Sequence, residues 1–284
     1  MDKGGAAAWE TERVTTHPRL FVTLEGYAVE GGFDRVGEPA TCYSPTIALG
    51  RHAGPGAADD LWRHYETVLD FVPELGFDGV RLGVEWARVE PRADEVDEAA
   101  LARYLEVARH ARSRDLDVTV ALVDAVWPAW LGQEAWLLPW VVPHVISHAR
   151  RVVEFLGDAV TGVLAFAQPE ELVTRGYLNA SAPPWRRSAL ADASFAHAQI
   201  ERITEALRTD DLVGAKLVES SAVTSLDVAP DDLAAARDSF TGSEIYVRSL
   251  LRGTGPTRVS EGLLVQHGDE WRVNASEELL AALR

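Results

Sequence analysis

Residues 79–91 read Gly-Val-Arg-Leu-Gly-Val-Glu-Trp-Ala-Arg-Val-Glu-Pro, and they say more about the architecture than any other part of the chain. The run from Gly79 to Val84 is apolar except for Arg81, which predicts a strand covered on both faces. Helical patterns over 61–72 and 97–114 lie on either side of it. A strand between two amphipathic helices is the repeating unit of an α/β protein with a parallel sheet.

The same alternation continues along most of the chain. Further strands are predicted at residues 21–24, 117–123, 161–166 and 213–218, with a less distinct one near 262–266. Further helices are predicted at residues 141–156, 191–208 and 231–238 and from Ser276 onward. Asp59 or Asp60 is placed to cap the helix over 61–72, because aspartate is a preferred residue before a first helical turn.

The fold class that follows is α/β, with residues 1–284 as one barrel domain and residues 1–18 as a disordered tail. A TIM (β/α)8-type barrel takes about 250 residues, which this length permits. The pattern shows fewer than eight strands, so either the last strands are not visible in the pattern or the barrel is incomplete. A homodimer is one way to cover the open edge, because an uncovered parallel sheet is rarely stable.

Composition excludes several classes of partner. The net charge is −17, from 44 acidic and 27 basic residues, so we expect neither nucleic acid nor an anionic membrane as partner. The single cysteine, Cys42, permits no disulfide within the chain and no cysteine-based metal site. The sequence contains neither an apolar run long enough to span a membrane nor a secretory signal. A cytoplasmic location without metal or cofactor is therefore expected.

Several segments share one family pattern in the same order. They are residues 24–32 (LEGYAVEGG), 64–66 (HYE), 74–78 (ELGFD), 80–91 (VRLGVEWARVEP), 127–131 (WPAWL) and 164–170 (LAFAQPE). From about Leu20 to about Pro256 the chain resembles glycoside hydrolase family 1, the β-glucosidase and β-galactosidase family. The resemblance implies the barrel fold and a small-molecule pocket for a glycoside or a glycosylated natural product at the carboxyl ends of the strands.

The chain departs from the family at its reacting residues. Gln168 stands where the resemblance places the acid/base glutamate, and Ala167 stands where the family has asparagine. Ala28 replaces a sugar-holding glutamine, and Asp124-Ala125 replaces a His-Trp pair. The Thr-Glu-Asn-Gly nucleophile motif does not occur, and the nearest string, 260–262 (SEG), suits a solvent-facing turn better. We expect the chain to end before the family's last two or three strands.

These departures bear on chemistry. A retaining glycosidase needs two carboxylates about 5–5.5 Å apart, one as nucleophile and one as acid/base. An amide cannot transfer a proton, and proton transfer contributes roughly 10²–10⁴-fold to the rate. Family members with glutamine in this position cleave thioglucosides, whose leaving group needs no proton, but they retain the nucleophile.

Other polar residues fall at predicted strand ends. Asp124, Glu85 and Glu219 join Gln168 as candidate catalytic residues, and Arg81 is a candidate substrate-binding residue because the resemblance directs it inward. Because side chains alternate along a strand, Glu85 would point to the same face as Arg81. A catalytic role for Glu85 and a purely structural Arg81–Glu85 ion pair are then equal alternatives. Asp124 and Glu219 would otherwise be hydrogen-bonding residues only. The aromatic candidates for substrate binding are Trp127, Tyr27 and Trp136.

Three functions remain open at this point. The chain is a glycosidase-family protein acting on a glycoside, or an enzyme that runs a different reaction with Asp124, Glu85 or Glu219 as acid and base, or an inactive binding or scaffold protein. The fold alone does not choose among them, because one scaffold hosts many chemistries.

Overall fold

A parallel sheet of six strands organises the computed structural model, which describes residues 19–75, 77–218, 223–226, 244–247, 264–267 and 270–273. The strands are β1 (Arg19–Leu24), β2 (Gly79–Gly83), β3 (Asp117–Val123), β4 (Gly162–Phe166), β5 (Val223–Leu226) and β6 (Glu244–Val247). Their order across the sheet is β4-β3-β2-β1-β6-β5, and each neighbouring pair is parallel. The predicted α/β class and the first four predicted strands are confirmed.

Helices connect these strands. Four long ones are α3 (Leu61–Phe71), α5 (Glu98–Ser113), α6 (Val141–Leu156) and α8 (Leu190–Arg208). Four shorter ones are α1 (Gly26–Val29), α2 (Ser44–Ala48), α4 (Trp86–Val89) and α7 (Pro169–Val173). Asp97 begins α5 by accepting a hydrogen bond from the Ala100 N–H at 2.9 Å, which satisfies a donor that the first turn leaves open. No helix among the described residues is long and apolar enough to cross a membrane.

Strands β1–β4 of the sheet are buried on both faces. Val22, Val80 and Val163 belong to the main apolar core, which includes buried side chains of the long helices. On the other face, Phe21, Ala121 and Leu164 form a second, smaller apolar cluster. Because side chains alternate along each strand, this double burial explains why the strands are almost wholly apolar.

The predicted fifth strand at 213–218 is wrong in its bounds. A short 3₁₀ helix, Gly214–Lys216, occupies most of the segment, and only Leu217 pairs with β4, opposite Val163. The cause lies just before the segment. The Asp210 carboxylate accepts the N–H groups of Leu212 (3.0 Å) and Val213 (3.1 Å), so the chain turns here before it extends.

The predicted strand near 262–266 is observed, but it lies outside the parallel sheet. Leu264–His267 (β7) and Glu270–Val273 (β8) form an antiparallel pair. Two residues join these strands, and such short connections favour antiparallel over parallel pairing. The predicted helices at 231–238 and from Ser276, and the tail 1–18, lie outside the described residues.

Neither predicted cap of α3 makes a capping hydrogen bond. Asp60 has a left-handed φ of 51° and makes no side-chain cap; its carboxylate instead lies 3.4 Å from Arg63 and 3.5 Å from His64. Asp59 is only 3% exposed, and its Oδ1 has no hydrogen-bond partner among the described residues. Burial raises the pKa of Asp59 to about 7.

Asp59→Asn is expected to stabilise the protein at pH 8 and to change little at pH 4. The folded state holds the Asp59 proton more tightly than the unfolded state, so the wild type loses stability as pH rises from about 4 through 7. Asparagine does not ionise and escapes this loss, which is on the order of a few kcal/mol. Urea unfolding at both pH values measures it. The control is Asp60→Asn, which weakens the contacts with Arg63 and His64 and should not increase stability at pH 8. If Asp59→Asn has the same effect at pH 4 and at pH 8, the raised pKa of Asp59 is contradicted.

Candidate functional site

Three polar side chains follow three of the four consecutive strands β1 to β4 of the sheet. Glu25 comes directly after β1, Asp124 directly after β3, and Gln168 two residues after β4 ends. Between Glu25 and Asp124 in the sheet lies β2, which carries Arg81 opposite Thr23 and Thr119. Because all four strands are parallel, these residues gather at one edge of the sheet, where the active sites of α/β barrels lie.

Arg81 links two of the carboxylates. Its side chain is 1% exposed, and its Nη2 lies 3.7 Å from Glu25 Oε1 and 3.9 Å from Asp124 Oδ2. Because both distances are measured from Arg81 Nη2, the Glu25 Oε1 and Asp124 Oδ2 atoms are at most about 7.6 Å apart. The buried cation lets two carboxylates remain close together, because it offsets their mutual repulsion.

A narrow cleft opens beside this group. It is lined by Asp124, Ala125, Trp127, Gln168, Glu171, Leu172, Arg175, Ala182 and Pro183. Its volume is about 10 Å³, roughly the space that one water molecule needs. The described residues therefore form a wall that does not enclose a sugar-sized pocket.

The polar part of the cleft has mixed charge. Glu171 accepts a hydrogen bond from Arg175 at 3.2 Å, one turn further along the chain. Gln168 precedes α7, and its carbonyl accepts the Leu172 N–H at 3.0 Å. Its side-chain amide both donates and accepts hydrogen bonds and has no proton to transfer at ordinary pH. This wall is therefore suited to hydrogen bonding with hydroxyl groups.

Glu85 lies away from the lining of this cleft. β2 ends at Gly83, and Glu85 precedes the first turn of α4, so strand alternation no longer governs its direction. It is 4% exposed, and its Oε1 accepts the Tyr27 N–H at 2.7 Å. Burial raises the pKa of Glu85 well above its usual value, and the charges of Glu30 and Asp124 raise it further. Glu85 thus caps the first turn of α1 by accepting the Tyr27 N–H.

The glycine before Tyr27 allows this contact. A Cβ at Gly26 would lie 2.4 Å from Glu85 Cγ, a distance that would force the carboxyl out of its place. Arg81 forms ion pairs with Glu25 and Asp124, whereas the sequence had left an Arg81–Glu85 pair open as one of two interpretations of Glu85.

The candidate aromatic residues separate into three environments. Trp127 lines the cleft and donates its indole N–H to the Gly132 carbonyl at 2.8 Å. Trp136 is fully buried behind it, with its ring edge-on to Trp127 at 5.5 Å. The Tyr27 hydroxyl donates to Asp34 at 2.6 Å, so this hydroxyl helps to hold a loop.

Glu219, the remaining catalytic candidate, lies outside the described residues.

Sequence reasoning missed three residues of the site: Glu25, Glu171 and Arg175. Glu25 had a usable signal, because it directly follows the first strand and so meets the same strand-end rule that selected Asp124. Glu171 and Arg175 gave no comparable signal. They belong to α7 and to the helical segment Thr174–Leu178 that follows it, and only the tertiary structure brings both side chains to the lining of the cleft.

A larger depression lies elsewhere on the protein. It has a volume of about 820 Å³ and runs along the outer face of α6, past Pro143, Ile146 and Phe155. It shares no lining residue with the cleft beside Gln168, and barrel chemistry takes place at the carboxyl ends of the strands. Size alone therefore does not make it the candidate site.

The sequence of this chain matches the model of a known family. The family model for glycosyl hydrolase family 1 matches residues 22–281. The chain belongs to glycosyl hydrolase family 1. This membership confirms the resemblance inferred from the segments around Arg81 and Gln168, and with the structural neighbours of the family it confirms the barrel-type fold.

Curated family 1 relatives are similar at low identity. A 6-phospho-beta-galactosidase of Clostridium acetobutylicum is 22% identical over 236 residues, covering 79% of this chain and 50% of the relative. A beta-glucosidase of Agrobacterium sp. is 25% identical over 248 residues, covering 84% of this chain and 53% of the relative. This family 1 chain therefore spans about half the length of these relatives.

Solved family 1 structures show the same fold. A beta-glycosidase from Pyrococcus horikoshii superposes with a TM-score of 0.60 at 21% identity, covering 73% of this chain and 47% of the other. An aphid myrosinase superposes with a TM-score of 0.63 at 16% identity, covering 70% of this chain and 45% of the other. At such identities the agreement concerns the fold.

Proposed function

We propose that this family 1 protein binds a β-glycoside at the carboxyl ends of β1–β4 and hydrolyses ordinary O-glycosides at a rate near background. The observation that carries the proposal is the position of Gln168, which lines the cleft together with Asp124 and Arg175. An amide there can hold a sugar hydroxyl, yet it cannot protonate a leaving oxygen. The names of the relatives, a beta-glucosidase and a 6-phospho-beta-galactosidase, support a glycoside as the ligand class.

The missing nucleophile motif strengthens the same conclusion. A retaining glycosidase needs its second carboxylate as nucleophile, and the Thr-Glu-Asn-Gly string is absent from the sequence. Restoring an acid at position 168 would therefore restore only one of the two required groups. A thioglycoside, whose sulfur leaves without a proton, bypasses the lost acid but still requires the nucleophile.

The experiment compares wild type with Gln168→Glu on p-nitrophenyl β-glucoside and its thio analogue. We expect both proteins to stay within a few-fold of the uncatalysed rate on both substrates. Binding of methyl β-glucoside is followed by ligand-observed NMR, and we expect Gln168→Ala to weaken it several-fold. Ser147→Ala, on the outer face of α6, is the control and should bind as wild type does. Rapid turnover of the O-glucoside by wild type would refute the proposal.

One observation favours a second candidate, an enzyme that uses a different pair of carboxylates. Glu25 and Asp124 share Arg81 and lie at most about 7.6 Å apart. Carboxyl pairs in glycosidases are separated by about 5–5.5 Å or 6.5–9.5 Å, depending on the stereochemical course. If wild type hydrolyses the O-glucoside well above the uncatalysed rate, and Glu25→Gln and Asp124→Asn each lower that rate by roughly 10²–10⁴-fold, this second candidate replaces the first.

A further inference from the structure

Two buried carboxyl groups lie close together beside Gly26, the first residue of α1. A Cβ placed on Gly26 would lie 2.8 Å from Glu85 Oε1 and 3.1 Å from Glu30 Oε1. Because both distances start from one point, these two oxygens are at most about 5.9 Å apart. Glu30 is 2% exposed and Glu85 is 4% exposed, so solvent screens the two groups little. Two ionised carboxylates in this arrangement would repel each other strongly.

The stronger donors nearby serve Glu30. The Arg88 Nε donates to Glu30 Oε2 at 2.9 Å, and the Tyr104 hydroxyl lies 2.9 and 3.1 Å from the two oxygens of the same carboxylate. The Glu85 carboxylate accepts the uncharged Tyr27 N–H at 2.7 Å. Glu30 is therefore the member of the pair whose ionised form is better stabilised, and Glu85 is the member that keeps a proton more readily.

The other charges around Glu85 act in the same direction. Burial raises the pKa of Glu85 well above its usual value, Glu30 and Asp124 raise it further, and the Tyr27 N–H and Arg88 lower it. The titratable and charged groups that act on Glu85 come from several elements: Glu30 after α1, Cys42 before α2, Arg88 in α4, Tyr104 in α5 and Asp124 after β3. The thiol and the phenol among them stay neutral, because burial raises the pKa of each.

The single turn of α1 connects this carboxyl pair to the strand ends. Glu25 comes directly before the turn and Glu30 directly after it. Glu25 Oε1 lies 3.7 Å from Arg81 Nη2, and Glu30 pairs with Arg88, so ion pairs hold the turn at both ends. Repulsion between the two carboxylates beside Gly26 would therefore act on the same turn that places Glu25.

We propose that Glu30 and Glu85 share one proton near neutral pH, and that release of this proton at alkaline pH loosens α1 and weakens ligand binding at the strand ends. Glu85 is then a positioning residue, because it acts on the site through α1. The shared proton stands on the geometry of the pair, whereas the effect on binding rests on the proposed function. Because the folded state holds this proton more tightly than the unfolded chain does, the stability it gives is full at acidic pH and is lost as pH rises through the release.

The Tyr27 amide reports on the proton directly, because its N–H is bound to Glu85 Oε1. The chain has six tyrosines, so labelling the full-length protein with nitrogen-15 tyrosine gives few amide signals, and Tyr27→Phe identifies the one that belongs to Tyr27. We expect this signal to titrate with a midpoint at least about two units above the ordinary glutamate pKa of about 4.3. Glu85→Gln should abolish the titration.

A second variant tests whether the proton belongs to the pair. Glu30→Gln should lower the midpoint of the Tyr27 titration by about one unit or more, because a negative charge next to Glu85 is removed while Arg88 stays. This variant also keeps the test decisive if Glu85→Gln does not fold. Glu74→Gln, which changes an exposed glutamate of the segment Pro73–Leu75, is the control and should leave the midpoint unchanged.

Binding is then measured over the same pH range. The dissociation constant of methyl β-glucoside, followed by ligand-observed NMR, should rise several-fold across the pH at which the wild-type Tyr27 signal titrates. In Glu85→Gln it should not change across that range, because there is no proton to release.

The outcomes separate this inference from the proposed function. A wild-type midpoint near the ordinary glutamate value, a midpoint that Glu30→Gln leaves unchanged, or a Tyr27 signal that does not move up to about pH 10 overturns the shared and released proton. The expected titration together with pH-independent binding overturns the connection through α1 and leaves glycoside binding standing. Failure of the wild type to bind methyl β-glucoside at any pH overturns the proposed function, while the Tyr27 titration still decides the shared proton.

Discussion

Arg88→Met is expected to lower the free energy of unfolding by about 3–5 kcal/mol, the usual cost of removing one partner from a buried ion pair. Arg88 donates to Glu30 Oε2 at 2.9 Å and to the Gly31 carbonyl at 2.7 Å. Its guanidinium lies between the rings of Phe33 (4.2 Å) and Trp62 (4.1 Å). Methionine fills much of the volume and loses every one of these polar contacts. Urea unfolding at pH 7 measures the change.

The pH dependence gives this prediction a second readout. Burial raises the pKa of Glu30, and Arg88 pulls it back down. Without Arg88 the carboxyl keeps its proton to higher pH, so the loss of stability should be smaller at pH 5 than at pH 8. The double variant Glu30→Gln/Arg88→Met should cost less than the sum of the two single variants, because the carboxylate that Arg88 neutralised is gone.

A surface ion pair provides the control. Arg92 donates to both carboxylate oxygens of Glu95, at 2.9 and 2.8 Å, and both side chains are exposed. Solvent screens such a pair, so Arg92→Met should leave the unfolding curve where the wild type has it. Equal effects of Arg88→Met and Arg92→Met would contradict the account of Arg88.

Gly31→Ala is expected to destabilise the protein by about 2–5 kcal/mol. Gly31 has a φ of +72°, and a Cβ placed there would lie 2.0 Å from the Ala57 carbonyl oxygen. A left-handed alanine costs about 1–2 kcal/mol, and overlap with backbone that must shift adds about 1–3 kcal/mol. The Gly31 carbonyl also accepts the Arg88 hydrogen bond, so the shift would disturb that contact as well.

Gly37→Ala separates the two contributions. Gly37 has a φ of +87°, yet a Cβ there would have nothing within 4 Å. Its cost should be the left-handed strain alone, about 1–2 kcal/mol. Thermal unfolding of both variants measures the difference in stability. If Gly31→Ala is no less stable than Gly37→Ala, the backbone at Ala57 moves aside at no cost and the predicted overlap does not destabilise the protein.

The sequence predicted the strands and helices of the first half of the chain well, since burial on both faces leaves a clear apolar run in each strand. It failed at 213–218 for a local reason. The apolar residues Val213, Leu217 and Val218 suggested one strand. The Asp210 carboxylate, however, accepts backbone hydrogen bonds from the residues that follow it, and the chain turns there before it extends. Hydrophobic pattern does not register such a turn.

The sequence likewise predicted some residues of the candidate site and not others. Gln168 was predicted because it stands where the resemblance places the acid/base glutamate, and Asp124 because it lies at a strand end. Both line the cleft. Glu85 was predicted by strand alternation, but β2 ends two residues earlier, and the carboxyl caps α1. Glu25, which shares Arg81 with Asp124, was overlooked although it meets the strand-end rule.

By itself the sequence determined the α/β class, the membership of family 1 and the presence of glutamine at position 168, because these depend on residue types and their order along the chain. Only the tertiary structure decided which carboxylate stands beside which cation. Arg81 lies near Glu25 and Asp124, and Arg88 pairs with Glu30. Those pairings depend on distances of a few ångströms between residues more than forty positions apart, which arise only once parallel strands are in register and their ends are packed together.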